Sequence, residues 1–250
     1  EERTDPPAVH WHDRLGTGLA ENLRLVIAKA VIGLDDADVP HAEPFGQALE
    51  FGTEYREDGW ASGLTIHTAM ANIREDLAPA DRRRALYHGI VEVAGDCAGE
   101  PPRFDQPALR TDSVGPDRLR SWFRENVEVR DEDGAERCLR AAIRTLDPPA
   151  VAGLLFTAAT DHRYLDSGHT LDFLNKAFEA LDHVGWDRAE RVLPSLVSSL
   201  TDAERAEETA EWRQPVDLAA LLDDAFEELP ERASGDGWTE PDDLLETLLG

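Results

Sequence analysis

The chain has 250 residues, of which 52 are Asp or Glu and 25 are Lys or Arg, giving a formal charge of −27. Its 41% hydrophobic content is enough for a buried core and argues against wholesale disorder. A field this negative argues against nucleic acid or an anionic membrane as partner, and no apolar run approaches the roughly 18 residues of a bilayer span.

Apolar residues recur with a period near 3.6 almost everywhere, and no stretch alternates convincingly. In chain order the predicted helical stripes are Leu19, Leu23, Val26, Ile27 and Ala30, then Ile66, Met70, Ile73 and Leu77, then Leu86, Ile90, Val93 and Cys97. Leu139, Ala142, Ile143 and Leu146 follow, and Leu171, Leu174, Phe178 and Leu181 form the cleanest seam. Val192, Leu196 and Leu200 precede a last stripe of Leu218, Leu221, Ala225 and Leu229. Thr201-x-x-Glu204 has the pattern of a capping box, and Thr239-Glu240-Pro241-Asp242 reads as a cap followed by a first-turn proline. Pro101-Pro102, Pro148-Pro149 and Gly235-Asp236-Gly237 read as loops. The expectation is an all-α chain of about ten helices, forming a helical bundle or short α-solenoid.

The two halves echo each other. His41-x-x-x-Phe45 returns as His169-x-x-x-Phe173, Gly59-Trp60 as Gly185-Trp186, and Leu23-Arg24-x-x-Ile27 as Leu139-Arg140-x-x-Ile143. Two divergent repeats, 1–115 and 116–230, are therefore expected, with an acidic linker and C-terminal helix at 231–250. Such pseudo-symmetry would bring the helices carrying His41 and His169 towards one axis.

Every basic residue except Lys29 and Lys176 is Arg, and the acids are spread along the whole chain. In dilute buffer that surface repels itself, whereas at molar salt the screening length falls to roughly 3 Å. A high-salt cytoplasm, haloarchaeal by resemblance, is the expected setting, with strong helix at molar KCl and loss of helix in dilute buffer. Cys97 and Cys138 form no C-x-x-C pair and sit on apolar helix faces, so both are expected as buried thiols.

The eight histidines are the main supply of chemistry. The candidate metal ligands are His41, His88 and His169, with His10, His12 and His67 behind them, and Glu50 or Glu92 as the accompanying carboxylate. His41 and His169 are placed near helix starts, where the dipole favours the neutral imidazole that a metal needs. His10-Trp11-His12 is placed ahead of the first long helix; an i, i+2 pair can share a metal from a loop but faces apart on a helix. Iron or another transition metal would suit a bundle that turns such groups inward. Against this, the chain lacks H-E-x-x-H and the Glu-x-x-His of di-iron bundles. Walker, G-x-G-x-x-G and G-x-S-x-G motifs with the required context are also missing. Trp60, Trp186 and Trp212 read as packing anchors, Arg82-Arg83-Arg84 as a neutralised helix start, and Asp161-His162 and Asp182-His183 as solvated helix ends.

Five stretches carry a resemblance: Gly63–Asn72 (GLTIHTAMAN), Ala85–Gly89 (ALYHG), Asp96–Phe104 (DCAGEPPRF), His169–Phe178 (HTLDFLNKAF) and Val192–Leu196 (VLPSL). Together they resemble the helical region that precedes a Rieske-type iron–sulfur domain in some bacteria and archaea; the likeness to questin-oxidase-like helical proteins is weaker. The first resemblance implies a redox or oxygenase-associated context and a Rieske-type or other redox protein as partner. A Rieske centre needs paired Cys and His motifs, and neither Cys97 nor Cys138 is followed by the required His. This chain therefore carries no Fe–S cluster motif. Two readings follow: a helical metal- or cofactor-binding redox module, and a non-catalytic helical-repeat scaffold for protein–protein interaction.

Overall fold

A computed structural model describes residues 7–110 and 114–233, and among these it contains helices and turns but no strand. The all-α expectation holds. The helices are α1 (Pro7–Ala20), α2 (Arg24–Asp36), α3 (Ala42–Glu54), α4 (Ser62–Asn72) and α5 (Pro79–Asp96), then, after an irregular strap, α6 (Pro116–Glu128), α7 (Glu132–Thr145) and α8 (Pro148–Thr160). They continue with α9 (His169–Val184), the short α10 (Ala189–Val192) and α11 (Ser198–Thr201), and α12 (Leu218–Ala233). None of the described helices is long and apolar enough to cross a membrane.

The chain divides into two compact units at Arg205. In the first, a single hydrophobic core takes residues from Leu15 to Ala203, so helices on both sides of residue 115 share it. In the second, Asp217 caps α12 by accepting the Ala220 N–H at 3.0 Å, and Leu218, Leu221 and Leu229 are exposed along that helix. The segments around Gly235 and Thr239 lie outside the described residues.

Local chemistry explains where the predicted elements were cut. The stripe Leu19–Ala30 spans two helices rather than one. Asn22 adopts a left-handed conformation (φ 48°), the Leu23 N–H donates to the Gly18 carbonyl at 2.8 Å and the Asn22 N–H to Leu19 at 3.2 Å. This is a Schellman ending, with Asn in the position usually held by Gly, and it turns α2 back along α1. Pro148-Pro149 open α8 instead of forming a loop: Asp147 caps the Ala150 N–H at 2.9 Å, and prolines in the first turn forfeit no helical hydrogen bond.

The Val192–Leu200 stripe is buried but broken by Pro194. A proline cannot donate to the carbonyl four residues back, which is that of Glu190; Arg140 donates to it instead, at 3.1 Å. Thr201 does not open a helix as a capping box would. It closes α11, its hydroxyl donating back to the Val197 carbonyl at 3.1 Å. On α4 the buried face is Leu64, His67, Thr68 and Ala71, not the Ile66–Met70–Ile73 stripe, and Ile73 is exposed.

Candidate functional site

The histidines divide into a core group and surface singles. Phe45, fully buried on α3, is the centre of the core group. His41 stacks on its ring at 5.9 Å, His67 stacks on it at 4.3 Å, and His183 meets it edge-on at 5.4 Å. The Nε2–H of His67 donates to the Phe45 carbonyl at 3.0 Å, while Nε2 of His183 bonds Asn72 at 2.8 Å. Burial holds the His67 imidazolium form off to a pKa of about 4. The same desolvation, helped by Arg74 and the neighbouring imidazoles, takes His41 to about 4. Both rings are therefore neutral at pH 7.

Neutral imidazoles are what a metal needs, and the ring atom available to one is Nδ1 of His67. Nδ1 of His67 is buried without a hydrogen-bond partner and abuts α5 at Gly89. Even a methyl group on Gly89 would lie 2.6 Å from that nitrogen and 2.7 Å from the His67 Cα. A metal at about 2.0–2.2 Å from Nδ1, with further ligands of its own, has no room there. Among the described residues, no group of three or more His, Cys, Asp or Glu could hold a metal ion.

The remaining candidates stand apart. His10 and His12 lie within α1 rather than ahead of it, so they face different sides. His10 is exposed with its ring edge-on to Trp11, while Nδ1 of His12 bonds the Gln47 side chain at 2.8 Å and ties α1 to α3. His88 is exposed on α5, 3.8 Å from Glu92, and Glu50 is committed to Arg188 at 3.2 Å. His169 opens α9 and stacks on Phe173, much as His41 stacks on Phe45, but it faces a separate cleft. The residues do not fit a shared metal centre. The sequence reading of His183 and His162 as solvated ends also fails: the first joins the Phe45 group and the second pairs with Glu128 at 2.9 Å. A buried partner for His183 arises only when α9 crosses α3 and α4, and nothing in the local sequence announces it.

The cleft at His169 encloses about 600 Å³ and is lined by Arg56 together with Asp58, Asp166, Asp172, Asp202 and Glu204. Its rim is backbone under strain: Tyr164, Asp166 and Ser167 all have positive φ (56°, 45° and 55°), and Gly168 follows at 91°. Non-glycine residues in that region cost about 1 kcal/mol or more each and persist only when held. One tether is the Asp166 N–H, which donates to the Glu204 carbonyl at 2.9 Å.

A third polar region is fully ordered by charge. Glu136 on α7, 3% exposed, receives Arg140 Nε at 2.7 Å and both terminal nitrogens of Arg103 at 3.2 and 3.3 Å. Arg103 also donates to the Pro194 carbonyl at 2.9 Å, and the Gln106 N–H donates to Glu136 at 3.1 Å. The irregular strap after α5 is thus pinned to α7, while its Phe104 is left 89% exposed. Both cysteines are free and buried, as expected, and burial pushes the Cys97 thiol up to about 12 and Cys138 to about 11, so neither is a ready nucleophile.

The last region is the outer face of α1 and α2. Trp11 lies against Gly33, where any Cβ would strike the indole at 2.1 Å, so the two helices approach closely. Outside this contact, Leu23, Leu25 and Ile32 are exposed, Leu25 to 70%. Comparison with known family models, with curated proteins and with solved structures returns no match.

Proposed function

We propose that this protein is a non-catalytic helical scaffold for protein–protein interaction, working at high salt in the cytoplasm. The observation that carries the reading is how the histidines are used. His12 and His67 hold elements together and His183 is hydrogen-bonded at the Phe45 cluster, whereas the exposed apolar residues Leu23, Leu25, Ile32 and Phe104 have no counterpart in the fold. Leu25 and Ile32 share one face of α2, and exposed apolar side chains gathered on a helical face mark an interaction surface more often than a reaction centre. The redox-module reading would need a set of inward ligands, which the described residues do not supply. The resemblance to Rieske-associated helical regions bears on the partner instead, and makes a redox protein the class to look for.

The test is capture on the immobilised full chain at molar KCl, with turnover assays run on the same preparation. The scaffold reading predicts a stoichiometric partner protein and no reaction by the chain alone. No partner, together with turnover of a substrate by the purified chain, would sink it.

A further inference from the structure

The outer face of the α1–α2 hairpin carries a groove of about 230 Å³ lined by His10, Trp11, Arg14, Leu25, Val26 and Lys29. In a chain of charge −27, this lining contains no carboxylate. By contrast, the cleft at His169 contains five carboxylates, and the pocket beside Arg103 includes Glu50, Glu54, Asp105, Asp187 and Glu190. Two further observations set the groove apart. The side chains of Arg14 and Lys29 make no ion pair or hydrogen bond among the described residues, although acids outnumber bases two to one. On α2, Leu25, Lys29 and Ile32 follow i, i+4, i+7 spacing and form a single stripe, interrupted by one cation.

Resting on the scaffold reading, we propose that this groove docks an acidic amphipathic helix of a partner protein. Such a helix would lay its apolar edge on Leu25, Ile32 and the Trp11–Val26 floor, and set carboxylates against Arg14 and Lys29. The mode is helix-in-groove recognition, with apolar anchors read at i, i+4 and i+7. Charge complementarity selects the occupant: two unpaired cations beside an apolar strip, with no carboxylate in the lining, leave a basic helix nothing to pair with. An anionic bilayer would offer the same charges but would have to lie against the acidic surface around the groove as well, whereas a single helix meets only the groove and its rim. The stripe is also longer than the cavity itself, since Ile32 extends it beyond the lining, so a helix covers it better than a small anionic amphiphile.

The experiment is fluorescence anisotropy with a labelled peptide of about four turns, carrying leucine at heptad core positions and glutamate beside them. One control peptide has the same composition with the leucines scrambled, and a second has lysine for glutamate. All are titrated with the full chain at the lowest KCl concentration that preserves its full helical circular dichroism. The expected result is that the aligned acidic peptide binds at least about tenfold tighter than either control, against the overall field of the protein, which favours the lysine version. Lys29→Glu and Leu25→Asp, each with unchanged helix content, should each weaken it about tenfold. Absent binding, a preference for the lysine peptide, indifference to Leu25→Asp, or binding to phosphatidylglycerol vesicles in place of the peptide would overturn the proposal. A partner captured on the full chain and indifferent to Leu25→Asp would keep the scaffold and remove this groove. Turnover without any partner would sink the scaffold whatever the peptide does.

Discussion

The two deepest polar regions of the molecule are handled in opposite ways. Around Phe45, three histidines are buried or half-buried, and the two that burial depresses are held neutral, so the region is packed as if it were aromatic core. Around Glu136, by contrast, the guanidinium groups of Arg103 and Arg140 converge on one buried carboxylate, and the network holds in place a strap with no helix of its own. Desolvation decides between the outcomes: an imidazole can shed its charge below neutral pH, whereas an arginine cannot and must be paired. The Phe45 region is closed, whereas Arg103 and Arg140 also line an open pocket of about 630 Å³. Open clefts at the surface include the acidic one at His169 and the cationic groove on α1–α2.

The contrast can be broken first on its charged side. Glu136→Ala removes the buried carboxylate that Arg103 and Arg140 share, leaving them the exposed Asp105 at 2.8 and 2.7 Å, and should cost about 3 kcal/mol, read as a shift of the denaturation midpoint. Glu136→Gln retains the shape and part of the hydrogen bonding and should cost less. Equal stability of Glu136→Ala and the parent would mean that the network is decoration.

The neutral side responds to pH. An unfolded His titrates near 6.5, while folded His67 and His41 resist protonation until about 4. Below pH 6.5 the unfolded chain therefore binds more protons than the folded one, and stability falls as the pH is lowered towards 4. The rate is about 1.4 kcal/mol per pH unit for a fully buried group, close to 3 kcal/mol in all from His67 and less from half-buried His41. Denaturation curves at molar KCl, where acidic repulsion is screened, should show the loss between pH 6.5 and 4.5, reduced in His67→Gln. A flat profile would contradict the neutral assignment. The smallest effect tests the packing itself: Gly89→Ala drives a methyl into His67 and should destabilise by about 1–3 kcal/mol. No change there would mean that space exists beside Nδ1 after all.

How much of this was legible in the sequence depended on whether the deciding contact was local. The α5 stripe of Leu86, Ile90, Val93 and Cys97 is buried as its periodicity predicts, and Leu174 and Leu181 behave likewise on α9. Arg82, Arg83 and Arg84 are neutralised as expected; Arg83 bonds Asp35 at 2.5 Å and Arg84 bonds Asp81 at 2.6 Å. Turn chemistry decides two boundaries that periodicity alone misses: at Asn22 a Schellman ending cuts a continuous stripe in two, and at Pro148 a capping Asp makes the prolines a helix start. The echo of His41 and His169 is real at the level of local stacking, and Gly59 and Gly185 both have positive φ. It does not gather a ligand set, because a shared motif fixes the first turn of a helix and not the surface it meets. The pairing of Arg103 with Glu136 and the entry of His183 into the Phe45 cluster depend on contacts between distant elements, which no window of sequence contains.

The central claim is that the histidines hold the fold together rather than a metal. It is tested most directly by elemental analysis, with a visible absorption spectrum, of untagged protein purified at high salt. The account predicts no iron, copper, zinc or other transition metal approaching one per chain, and a featureless spectrum. A stoichiometric metal that disappears in the His41→Ala, His169→Ala double variant would contradict it.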